Sequence, residues 1–192
     1  MGRFRVALQA GALVFLLFTA YSLPVAADEL QDITLLHNQG ESPKALERLD
    51  IYLSRPADSQ NTKIAEARFL KGLILGGQGK ITEAIDIFVS LTEHYPELPE
   101  PYNNLAVLYA MQGHMDKARQ ALEMAINAHP GYAIAHENLG DVYIQIASQS
   151  YDKALQLDQG NATARTKLAR VREIFPNAGK LAPTTTNNKA GM

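Results

Sequence analysis

The chain has no cysteine and no tryptophan, and aromatic side chains make up 7% of its 192 residues. Without cysteine there is no disulfide framework, no thiolate metal site and no thiol nucleophile. A lipoprotein anchor, which needs a cysteine as first mature residue, is excluded on the same ground. Charge of one sign is scarce as well: 18 Lys and Arg stand against 20 Asp and Glu. That balance argues against a phosphate backbone as partner, so no nucleic acid is expected.

Long apolar runs are lacking everywhere but at the start. Arg3 and Arg5 precede an apolar stretch from Val6 to about Phe18, and Val25, Ala26 and Ala27 then supply small residues. This is the order of a secretory signal peptide over residues 1–27, with cleavage after Ala27 and a mature start at Asp28. An uncut membrane anchor is the alternative, since a span needs roughly 20 apolar residues. Thr19, Tyr21, Ser22 and Pro24 interrupt the run, which favours cleavage. The expected compartment is therefore periplasmic or secreted, the alternative an inner-membrane-anchored chain facing the periplasm. Removing residues 1–27 leaves 165 residues with 16 basic against 20 acidic, a net charge of −4. One domain of that length buries a core without staples.

What the chain does have is a spacing of 34 residues. Ala84 returns as Ala118, Gly79 as Gly113, Phe88 as Leu122, Pro96 as Pro130, Leu105 as Leu139 and Tyr109 as Tyr143; Gly72, Ala106 and Gly140 form a series of three. A fixed period of this length means stacked helical hairpins. In the best-formed unit Pro101 is expected to open a helix, where its missing N–H costs nothing. Gly113 closes the turn, Asp116 opens the return helix and Pro130 ends it. Ala106 and Ala118 are small enough to let the two axes approach, and Ala118 is expected against the paired helix near Ala106.

Tyr102, Leu105, Ala106, Tyr109, Ala118, Leu122, Ala125 and Pro130 resemble the marks of the tetratricopeptide-repeat family. The resemblance implies an all-α, right-handed solenoid of about three to four helical hairpins plus a C-terminal capping helix. A degenerate first hairpin is placed at residues 28–57, a linker loop at 58–63, repeats at 64–98 and 99–132, a truncated repeat at 133–159, a capping helix at 160–176 and a disordered tail at 177–192. Two departures stand out. Arg68 and Lys71 occupy apolar positions of the second hairpin, their stems still able to cover apolar surface. The period also breaks after Tyr143, where five residues are missing around the expected turn. An unbroken apolar stripe favours one long helix there over a cramped hairpin capped by Ser148 or Ser150.

Catalytic constellations fail. Gly76, Gly77, Gln78, Gly79 and Lys80 suggest a phosphate loop only superficially, because Ile74 and Ile81 occupy positions that need Gly and Ser or Thr. His37, His94, His114, His129 and His136 show no metal-ligand spacing. No enzyme, cofactor or metal is expected. The resemblance implies instead a concave groove lined by first helices: Phe69 and Leu73 in the second unit, Asn103, Asn104, Val107 and Met111 in the third, Glu137, Asn138, Asp141 and Gln145 in the fourth. Lys and Arg are absent from these positions, so a clamp for a C-terminal carboxylate is not implied. The grading from apolar to acidic points to a protein or peptide partner with an apolar anchor and a basic end. The expected role is an exported adaptor or scaffold in cell-envelope biogenesis; the alternative is a structural solenoid that associates with itself.

Overall fold

The computed structural model describes residues 29–55 and 61–175. The signal segment, residues 58–60 of the linker and the C-terminal tail lie outside the described residues. Within them the structure is helical throughout: α1 (Glu29–Asn38), α2 (Ser42–Ser54), α3 (Asn61–Gly77), α4 (Ile81–His94), α5 (Pro99–Met111), α6 (Met115–Ala128), α7 (Ala133–Leu157) and α8 (Ala162–Ile174). The helix α3 starts at Asn61, so residues 61–63, expected in a loop, belong to it. Among the described residues no helix is long and apolar enough to cross a membrane.

One turn is used three times. Gly40, Gly79 and Gly113 have φ of 83°, 76° and 79°, the left-handed region that glycine enters without a Cβ penalty. Behind each glycine the next N–H reaches back five residues: Glu41 to Leu36, Lys80 to Leu75 and His114 to Tyr109, at 2.9, 3.0 and 2.9 Å. These bonds satisfy carbonyls that a helix end leaves open. The first hairpin is therefore built like the others, although Gly40 falls outside the 34-residue period.

The same period explains why the fourth unit differs. Thirty-four residues beyond Gly113 stands Ala147, and an alanine held left-handed would cost roughly 1–2 kcal/mol. No turn forms there, and α7 runs on for 25 residues as one helix. Its far end is that of a return helix. The N–H of Asp158 bonds to Ala154 O as Tyr95 does to Leu91 and His129 to Ala125. So α7 fuses a first helix with its return helix, and α8 occupies the place of the next first helix, capping the stack.

The start of α5 differs from the expectation that Pro101 opens it. Pro99, not Pro101, is the first residue of α5, next to the N-cap residue Leu98; Pro101 follows as the third, and both prolines are buried. Either suits the first turn, whose N–H groups have no intrahelical partner.

Packing within a hairpin follows one register. A Cβ added to Gly72 would lie 2.8 Å from Phe88 Cζ, and one added to Gly76 would lie 3.8 Å from the Ala84 Cβ. Carried forward one period, the same register pairs Ala106 with Leu122 and Ala110 with Ala118, all four of them in one buried cluster. A main cluster joins Phe88, Leu105, Ala118 and Leu122 across α3 to α7; a second joins Leu30, Ile33, Leu49 and Ile74. Leu46 touches both clusters and ties the first hairpin to the array. At its edge Arg55 donates to both carboxylate oxygens of Glu29, at 2.6 and 3.0 Å, and that hydrogen bonding holds the Glu29 carboxyl below its usual pKa.

Gly140 has nothing within 4 Å of its Cβ position, because the fused helix leaves no return helix opposite it. Gly140→Ala should therefore stabilise the protein by about 0.5–1 kcal/mol through helix propensity alone. Gly72→Ala gains the same propensity but drives a methyl into the Phe88 ring, an overpacking that costs about 1–3 kcal/mol. Chemical denaturation should separate the two variants by more than the propensity term. Equal shifts would sink the hairpin register.

Candidate functional site

First helices of neighbouring units meet along one side, α1 with α3 and α5 with α7, and the return helices α2, α4 and α6 form the other layer. The ten expected groove residues all lie on α3, α5 and α7. Their environments differ sharply. Leu73 and Met111 are 38% exposed, and Glu137 is exposed. Asn104, Val107, Asn138 and Asp141 are half-buried. Phe69 is half-buried because its ring meets Phe88 edge-on, with centroids 5.6 Å apart at 67°. Asn103 and Gln145 are buried, although both are expected to line the groove.

The centre of the row is an amide bridge. Asn138 Nδ2 on α7 donates to Asn103 Oδ1 on α5 at 2.7 Å, joining the first helices of two successive units. A buried amide needs such a partner, since an unpaired one costs about 1–3 kcal/mol. Asn104 turns the other way and donates to Glu100 O on its own helix at 2.9 Å. Both Asn104 and Asn138 use an amide NH2 in these bonds, and their carbonyl oxygens accept no hydrogen bond from the described residues. Those oxygens can accept from the backbone N–H of an extended ligand.

Electrostatics across the row are graded. Leu73 and Met111 supply an apolar stretch, and Glu137 and Asp141, four apart on α7, supply negative charge. Tyr132, which caps α7, has its phenol pKa pushed up by burial and then by the negative charge of Glu100. It stays neutral and can only hydrogen bond. Among the described residues no group of three or more His, Asp or Glu is placed to hold a metal ion. No nucleophile sits beside a base in this row. What the arrangement offers chemically is recognition: acceptors at its centre, apolar contact on one side, negative charge on the other.

The Asn103–Asn138 bridge was not found from the sequence. Its members are 35 residues apart, one more than the period, and that offset was the available signal.

Residues 77–140 match the family model for the tetratricopeptide repeat. Over these residues the chain belongs to the tetratricopeptide-repeat family. The chloroplast tetratricopeptide repeat domain-containing protein PYG7 of Arabidopsis thaliana is 34% identical over 76 residues, 37% of this chain and 25% of that protein. A probable UDP-N-acetylglucosamine–peptide N-acetylglucosaminyltransferase, SPINDLY of Hordeum vulgare, is 34% identical over 161 residues, 78% of this chain but 16% of that protein. The chain thus spans a quarter or less of the length of these two relatives. Among solved structures, a tetratricopeptide-repeat protein from Parabacteroides merdae aligns with a TM-score of 0.56 at 23% identity, covering 78% of this chain and 59% of the other. The structure of MamA aligns at 0.54 and 21% identity over 81% of this chain and 89% of its own. At these identities both show the solenoid fold alone.

Proposed function

We propose that this tetratricopeptide-repeat chain is an exported adaptor that holds an extended segment of a partner protein along α3, α5 and α7, in the service of cell-envelope assembly. The observation that carries the reading is the pairing of Asn138 with Asn103. It fixes two first helices relative to one another and leaves amide acceptors at the centre of a row that is apolar at Leu73 and Met111 and acidic at Glu137 and Asp141. A partner segment with an apolar anchor and a basic end complements that grading. The N-terminal order of Arg3 and Arg5, apolar run and Val25–Ala27 supports export.

The test is calorimetry with an extended peptide bearing an apolar anchor and a basic end, against its charge-reversed twin. The basic peptide should bind and the twin should not. Asn104→Ala should weaken binding by about 0.5–1.5 kcal/mol while melting barely moves. Asn138→Ala should lower both affinity and stability, since it strips the buried Asn103 of its partner. Lys117→Ala and Glu123→Ala on α6 serve as neutral controls. Loss of affinity from the α6 pair with none from Asn104 would end concave recognition, and equal binding of the two peptides would end its polarity. Intact mass of the protein released by its host should place the mature N-terminus at Asp28.

A further inference from the structure

The four most exposed large apolar side chains of the described residues all lie at the two ends of the solenoid. Leu35 and Ile51 of the first hairpin are 55% and 52% exposed; Leu157 and Ile174, at the ends of α7 and α8, are 78% and 70% exposed. Capping repeats of a soluble solenoid normally turn polar faces outward. Here charge divides between the same two ends. Residues 29–55 hold five acidic and three basic residues, whereas 162–174 hold four basic and one acidic. One end is acidic and apolar, the other basic and apolar.

Each end presents a defined element. At the acidic end, between the first hairpin and the second, α2 and the α3–α4 turn line an open cleft of about 660 Å³, with Pro43, Leu46 and Ile51 supplying apolar lining and Glu47 and Asp50 negative charge. Lys80 also lines it, and Asp50 holds Lys71 at 2.5 Å; Glu47 makes no ion pair among the described residues. At the other end Arg170 and Ile174 are four apart on one face of α8, with Phe175 beside them at 39% exposure. Arg172 is committed to Asp152 at 2.8 Å, while Arg170 makes no ion pair among the described residues. The free cation and the apolar pair match the free carboxylate and the apolar floor in sign and in kind.

We propose that copies of this chain stack head to tail, with the end of α8 of one copy seated in the α2 cleft of the next: Ile174 and Phe175 on Leu46 and Ile51, and Arg170 on Glu47. The contact uses two different surfaces, so it is heterologous and extends into a ladder unless its rotation closes a ring. It leaves α3, α5 and α7 open along their groove side and goes beyond the adaptor reading by giving that groove a repeat along the assembly.

Sedimentation velocity of the full chain, with no peptide present, decides the matter. The average sedimentation coefficient should rise over about a hundredfold range of concentration and fall back as salt is raised, because the rim charges are screened. Glu47→Arg or Arg170→Glu should each weaken association about tenfold, and the double variant should recover it, since the pair is reversed but kept. Ile174→Ser should also weaken association, and its exposure spares the fold. A single species at every concentration overturns the proposal. So does association indifferent to both charge reversals, which would assign it to residues 1–27 or to another surface. Neither outcome bears on peptide binding in the groove.

Discussion

Phe88→Ala should cost about 3–5 kcal/mol, the largest single loss expected in this protein. Phe88 is 1% exposed and lies in the main cluster. Its ring meets Phe69 edge-on on one side and comes so near the backbone of Gly72 that no Cβ fits between them. Truncation removes the apolar burial, the ring pair and the side chain that fills the space beside Gly72. The walls of the void include the backbone of Gly72, which has no side chain to move in, and the Phe69 ring, which loses its partner. The measurement is chemical denaturation followed by helicity, with hydrogen exchange to show whether the loss is local to α3 and α4 or spreads along the solenoid. A loss below about 1.5 kcal/mol would mean that the hairpin closes by sliding, and that the Gly72–Phe88 contact does not set its register. A second arm sharpens this. Gly72→Ala should be unfavourable beside Phe88 and favourable in the Phe88→Ala background, because the same methyl overpacks in one and fills a cavity in the other. That sign reversal is non-additivity between groups in contact.

The contrast between Gly72 and Gly140 also shows what the sequence made legible. The period, the hairpin turns at Gly79 and Gly113 and the fusion of α7 could be read because each depends on a backbone rule attached to one residue type. Glycine reverses the chain and Ala147, standing in its place, does not. The first hairpin is less marked in the sequence, since Gly40 lies 39 residues before Gly79 rather than 34 and falls out of the period. Its turn geometry is nonetheless the same. Less could be read of the groove. Whether Asn104 or Asn103 receives Asn138 depends on a rotation of α7 against α5 of a fraction of a turn, and amide side chains satisfy either outcome equally well. Gln145 is buried for a related reason. The period places it one repeat beyond Met111 in the row, but α7 continues past that point, where an ordinary repeat turns back, and the longer helix packs on both α6 and α8.

Ala118→Leu should destabilise by about 1–3 kcal/mol, while Gln120→Leu, two residues along the same helix, should change stability by less than about 0.5 kcal/mol. Ala118 is 0% exposed and sits between α5 and α6, whereas Gln120 is exposed. The hairpin register sets Ala118 opposite Ala110, as Ala84 lies opposite Gly76, so two small residues meet where the axes come closest. Three added carbon atoms have no void to enter there. They must push α6 away from α5, which also loosens the Ala106–Leu122 contact one turn on and, through Leu122 and Ala125, the seat of α7. The displacement should therefore reach the Asn103–Asn138 bridge, so Ala118→Leu is expected to weaken binding of the basic peptide although it touches no ligand. Thermal melting and calorimetry on the same variant separate the steps. If Ala118→Leu matches the parent in melting while Gln120→Leu is destabilised, the faces of α6 are assigned the wrong way round. Should stability fall and affinity hold, the packing of α5 on α6 does not position the bridge, and α7 must be fixed from α8 instead.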